Sequence, residues 1–93
     1  MQIIEHPLQP MEEWRAGVST RMKVSAVNGA AALCIFEQWC EPGTGAPTHT
    51  HSVEEVLTVL GGQAEIWMED DREVLYAGQS VIVPAGNRHW VSE

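Results

Sequence analysis

The chain has 93 residues, 44% of them hydrophobic, and thirteen acidic side chains against five basic ones give a formal charge of −8. That length allows one domain, residues 1–93, at the small end of what folds alone, and the acidic surface repels phosphate, which argues against nucleic acid or an anionic membrane as partner. No apolar run is long enough to span a bilayer, and Met1 to Pro10 lacks a basic region followed by an apolar stretch, so a cytoplasmic location is expected.

In chain order, Pro10 to Ala16 (Pro-Met-Glu-Glu-Trp-Arg-Ala) reads as one short helical turn, and everything after it reads as strands and turns. Val18 to Val27 alternates, with Met22, Val24 and Ala26 opposed to Arg21, Lys23 and Ser25. Asn28-Gly29 then signals a tight hairpin, and Ala31 to Cys40 is its return strand. Cys34 and Cys40 fall on that strand with their Cα atoms roughly 20 Å apart, too far to bridge, so two thiols are expected. The run from Glu41 to Pro47 is rich in Gly and Pro and cannot continue a ladder. Val53 to Leu60 is a β-branched, apolar strand closed by Gly61-Gly62. Gln63 to Glu69 returns with Ala64, Ile66 and Met68 on one face. Glu73 to Ala77, Ser80 to Val83 and a strand from His89 onward follow, punctuated by Asp70-Asp71-Arg72, Gly78-Gln79 and Pro84-Ala85-Gly86-Asn87. About eight short strands at roughly ten-residue spacing predict an all-β sandwich or barrel.

Chemistry concentrates in His49-Thr-His51-Ser-Val-Glu54-Glu55. On a strand, side chains alternate with period two, so positions 49, 51, 53 and 55 project the same way. That places two imidazoles and a carboxylate on one face, a donor set suited to Fe, Mn, Ni, Cu or Zn. Two in-phase histidines buried without a charge or metal to satisfy them would be costly. A bulge in this strand would exchange Glu55 for Glu54 as the acid. The later stretch, Gly78 to His89, is a strand, a turn and a returning histidine that a hairpin could carry back to the first cluster.

These two stretches also match a known family. Gly43-x5-His49-x-His51-x3-Glu55-x6-Gly62 and Gly78-x5-Pro84-x-Gly86-x2-His89 resemble, in order, the two motifs of the cupins, the second up to its last residue. The chain is therefore similar to a small single-domain cupin, and the resemblance implies a jelly-roll β-barrel. It also implies one divalent transition metal ion held by His49, His51, Glu55 and His89. The family's second motif continues to an asparagine, where this chain stops at Glu93. The expectation is that the C-terminal strands of the barrel are missing or truncated.

Behind Glu55, Leu57 and Val59 with Ala64, Ile66 and Met68 make an apolar wall suited to a small organic ligand, or simply fill the core. Trp39, Trp67 and Trp90 could line that cavity or pack outside it, while Trp14 is expected to pack in the N-terminal turn. Arg88 reads as a surface residue. The opposite strip, Val56, Thr58 and Leu60, is too apolar for a lone solvated sheet face and, with the habit of small cupins, points to a homodimer. The resulting expectation is a metal-dependent enzyme acting on a small molecule, a dioxygenase-type oxidoreductase or an isomerase, with Glu55 as candidate catalytic base. The alternatives are a non-catalytic metal or metabolite sensor, and a metal-free structural remnant. The fold alone does not choose among them.

Overall fold

The computed structural model describes residues 1–45 and 50–92, and their regular structure is eight strands and two 3-10 turns, with no α-helix. Every strand pairing is antiparallel. No helix among the described residues is long and apolar enough to cross a membrane. By contacts the chain divides into two compact units, Met1–Glu41 and Pro42–Glu93.

The first unit holds a three-stranded sheet in the order β1-β2-β3, formed by Met11–Arg15, Val18–Val24 and Ile35–Cys40. The expected helical turn at Pro10 to Ala16 is strand β1 instead, and the only turn of helix nearby is the 3-10 segment His6–Leu8. Tertiary pairing overrides local preference here: Met11 to Glu13 find backbone partners in Arg21 to Ser19, and a bulge between Glu13 and Arg15 accommodates Trp14. That bulge lets Trp14 lie 5.3 Å from Phe36, ring centre to ring centre, while its indole N–H donates to Glu12. Val18 and Thr20 are buried beneath, the Thr20 hydroxyl accepting from the Gln38 amide at 3.1 Å.

Asn28-Gly29 does not make a two-residue hairpin. Asn28 spends its side chain closing a 3-10 turn, Ala26–Asn28, accepting from Ser25 N–H at 2.9 Å and donating to Lys23 C=O at 3.0 Å. Gly29 ends that turn at φ +115°, and strand β3 begins only at Ile35. No disulfide joins Cys34 and Cys40.

The second unit is a hairpin that folds over on itself. Strand β4 (Glu55–Val59) pairs with β7 (Gln79–Val83), and β5 (Gln63–Met68) pairs with β6 (Asp71–Tyr76). Between the two paired stretches run Leu60 to Gly62 on one side and Ala77-Gly78 on the other. Gly61-Gly62 is thus a corner where the chain changes sheet, not a hairpin closing β4 onto β5. Gly62 and Gly78 sit at φ +72° and +89°, conformations that favour glycine. The two corners are tied together by Gly78 N–H to Val59 C=O at 2.9 Å and Ala77 N–H to Gly62 C=O at 3.2 Å. The hairpin's own turn is Glu69-Asp70, with Glu69 left-handed at φ +53°.

The outcome is two sheets, β4-β7 and β6-β5-β8, the last strand being His89–Ser92. Their facing rows make the core: Ile66, Leu75 and Val83 are buried, with Leu57, Val59, Met68, Val81 and Val91 packed around them. Of these, Leu57, Val59, Ile66 and Met68 are the ones that the sequence places on an inner face. Trp67 and Trp90 leave on the opposite face of the second sheet. They are cross-strand partners there, stacked with centroids 5.0 Å apart and planes 7° from parallel, so neither lines the core.

Candidate metal centre

Each donor is delivered by a different part of the second unit. Glu55 opens β4, opposite Val83, with its side chain 26% exposed. His89 opens β8, opposite Met68, and is 1% exposed. His51 precedes β4 in an extended-to-bend segment and keeps 44% of its side chain open. His49 lies outside the described residues.

The three imidazole and carboxylate donors converge. His51 Nε2 is 3.1 Å from Glu55 Oε2, His89 Nε2 is 3.6 Å from Glu55 Oε1, and the three ligand atoms lie within 4.8 Å of one another. Ligand atoms about 2.1 Å from one metal ion stand roughly 3 to 3.5 Å apart. The His51–Glu55 separation falls in that range and the His89–Glu55 separation lies 0.1 Å beyond it, and two imidazoles with one carboxylate form a donor set of net charge −1 for a divalent cation. The residues present therefore fit such an ion. Glu54 is exposed and stands outside the group.

Hydrogen bonds around the centre fix its shape. The Asn87 carbonyl lies 3.2 Å from His89 Nδ1. A carbonyl only accepts, so Nδ1 carries a proton and Nε2, the atom facing Glu55, is the one left to bind a metal ion. That is the tautomer a metal ligand needs. The turn Pro84 to Asn87, closed by Asn87 N–H to Pro84 C=O at 3.2 Å, carries the chain from one sheet to the other. Its Gly86 N–H donates to His51 C=O at 2.8 Å. One turn thereby holds the backbone of one candidate ligand and the ring of another. Centroids of the two imidazoles are 5.7 Å apart at 44°.

Two sequence expectations change in their reasons. Strand alternation from His49 to Glu55 was the argument for a common face, yet the strand begins at Glu55 and Ser52-Val53 bends. Val53, expected on the inner face, is 66% exposed. His51 reaches Glu55 across that bend. Glu69 was not singled out at all. Its carboxylate accepts from Arg88 N–H at 2.8 Å while its own N–H donates to Arg88 C=O at 2.9 Å, so it holds the residue before His89. A left-handed glutamate in a two-residue turn carries no sequence signature, which is why only the structure reveals it.

The sheets folded over one another and the clustered donors define an all-β jelly-roll protein. A family model described as Cupin domain matches residues 37–93, and the chain belongs to the cupin family. Among curated proteins it is similar to auxin-binding protein T85 of Nicotiana tabacum, 32% identical over 71 residues, 74% of this chain and 38% of that one. The chain thus spans well under half the length of that relative. Among solved structures, KdgF from Halomonas sp. superposes with a TM-score of 0.86 at 14% identity, covering 99% of this chain and 81% of the other. The polyketide cyclase RemF from Streptomyces resistomycificus gives 0.84 at 21% identity, covering 99% and 69%. At those identities the structural likeness speaks for the fold.

Proposed function

We propose that the chain, working as one cupin domain over residues 1–93, is a metal-dependent enzyme that acts on a small organic molecule. The reaction class we assign is a dioxygenase-type oxidoreductase, with isomerisation at the same centre as the variant chemistry. One divalent transition metal ion (Fe, Mn, Ni, Cu or Zn) is held by His51, Glu55 and His89, joined by His49. The observation that carries this reading is the convergence of three donors from separate segments within 4.8 Å.

When bound, the ion supplies Lewis acidity and, if it is Fe, Mn or Cu, redox capacity. The protein's own contribution is positional. His89 is buried and locked by Asn87, so it presents Nε2 in one orientation. Glu55 reaches both histidines, each through a different oxygen. Its carboxylate is also the base placed to take a substrate proton, at Oε2 on the side where His51 is open to solvent. The apolar rows behind it exclude water from one side of the centre.

The test is a metal titration of the full chain followed by oxygen uptake with catechols, flavonols and thiols. One equivalent bound, lost in His49→Ala, His51→Ala, Glu55→Gln and His89→Ala, together with substrate-dependent uptake, is the expected result. Retention of one equivalent in all four variants would refute the ligand set.

A second reading is favoured by one observation: the curated relative at 32% identity is named a binding protein. Metal uptake and metabolite binding without turnover of any kind would place the chain there. A homodimer is part of the proposal as well, built on the outward face where Val56, Leu60 and Ile82 are 58%, 70% and 60% exposed. Light scattering giving a monomer mass would exclude it.

A further inference from the structure

Between the two sheets of the second unit lies a cavity of about 40 Å³ bordered by Ile66, Met68, Asp71, Glu73 and Val81. The register explains its composition. Across the second sheet Asp71, Met68 and His89 stand in one row and Glu73, Ile66 and Val91 in the next, all on the inner face. Val81 reaches across from β7 and packs against the same core cluster. Asp71 and Glu73 are exposed at the rim, and the hollow presents almost no polar surface, so carbon stems rather than carboxylate oxygens border it.

That lining decides what occupies the hollow. An ordered water needs about two to four polar partners and would find none here. An ion or a polar group would lose its hydration without replacement. A neutral apolar molecule gives up nothing on entry and gains contact with Ile66, Met68 and Val81. Size narrows the choice further. A molecule of liquid water takes roughly 30 Å³, so a hollow of 40 Å³ admits one small molecule of about two heavy atoms. Position supplies the rest: within its row Met68, half-buried, stands between Asp71 at the rim and the candidate ligand His89. Its side chain is unbranched and flexible, a wall that yields to a small neighbour.

We infer that the hollow is a holding site for molecular oxygen beside the metal centre, with Ile66, Met68 and Val81 as its walls. The use of that site rests on the dioxygenase reading above. Its existence rests on the apolar lining, which needs no metal, so the two ideas fail separately.

The test uses the full chain with carbon-13 in its methionine methyl groups, followed by NMR first without metal and then with zinc. Met68→Leu assigns the Met68 signal, and Met11→Leu assigns that of the exposed Met11. Xenon and oxygen under pressure are the probes, with helium at equal pressure as control. The expected result is a Met68 shift that saturates with xenon while Met11 responds linearly. Dissolved oxygen is paramagnetic and should enhance relaxation at Met68 more than at Met11, the reverse of their exposure to solvent. Val81→Phe fills the hollow and should abolish both effects. Val81→Leu, a smaller addition, should weaken both, and it decides the matter if Val81→Phe does not fold. A linear Met68 response to xenon, oxygen relaxation ranked by exposure, or effects unchanged in Val81→Leu would overturn the inference. A chain that consumes oxygen when loaded with iron, yet shows no saturation at Met68, loses the hollow and keeps the dioxygenase reading. Saturation at Met68 without oxygen consumption by the iron-loaded chain supports the hollow and sinks that reading.

Discussion

His89 is 1% exposed, and its Nε2 faces a carboxylate oxygen 3.6 Å away. With Nδ1 committed to the Asn87 carbonyl, Nε2 is the ring atom that a metal ion shared with Glu55 would occupy. Substituting His89 with alanine removes the most buried of the three clustered donors and leaves Glu55 with His51 alone. The expected outcome is loss of stoichiometric metal by elemental analysis, without loss of the β-sheet signal in circular dichroism. Glu69 supplies a second prediction at this scale. Its carboxylate sets the backbone of Arg88, so Glu69→Ala should weaken metal affinity about tenfold, in the range seen for groups that orient a ligand. Glu69→Gln retains an acceptor oxygen and should restore it; equal loss in both variants would show that the hydrogen bond does not matter. Three of the four proposed ligands, His51, Glu55 and His89, were legible in the sequence and come together, while His49 lies outside the described residues. The argument for them was incomplete: alternation presumed a strand where the chain bends at Ser52-Val53. The motif spacing presumes no continuous strand, so it names the same residues across the bend.

At the level of elements, the folded-over hairpin controls where the donors meet. Its corners depend on Gly62 and Gly78, both left-handed. A Cβ at Gly78 would meet nothing within 4 Å, so Gly78→Ala costs only backbone strain, about 1 to 2 kcal/mol, measurable by urea unfolding. Ile66→Ala acts through packing. That side chain is 4% exposed at the centre of the core and its loss should cost roughly 2 to 5 kcal/mol. The Trp67–Trp90 stack gives an optical handle on β8, since two indoles 5.0 Å apart should couple as an exciton pair in circular dichroism. Trp67→Phe and Trp90→Phe should each abolish the couplet; its persistence in either would mean that β8 does not pair as described. The inward row of β5 could be read from alternation alone. Which strands pair could not. Gly61-Gly62 is a turn signal whether the chain doubles back in one sheet or crosses to another, and only long-range packing decides between them. Asn28-Gly29 failed for a local reason, because the Asn28 side chain found partners in Ser25 and Lys23. At Pro10 to Ala16 the pairing with β2 outweighed helix preference.

For the whole molecule, the small core of the second unit makes bound metal a matter of stability as well as chemistry. A ligand that binds only the folded state at a hundred times its Kd adds about 2.7 kcal/mol, and each kcal/mol raises Tm by roughly 4 to 8 °C for a domain of this size. Saturating metal should then raise the melting temperature by about 10 to 20 °C, and chelation should reverse it. Acidification should diminish the effect, because protons compete for the same donors. All-β class and family membership were both legible at this scale, the first from strand spacing and the second from the ordered pair of motifs. The activity was not, because the donor set is compatible with several reactions. The most direct single test is elemental analysis of the freshly purified chain, paired with its melting curve before and after addition of Fe, Mn, Ni, Cu and Zn. The account expects one equivalent of a divalent transition metal, or its uptake on addition with a clear rise in melting temperature. A chain that carries no metal and melts unchanged with all five ions would contradict it.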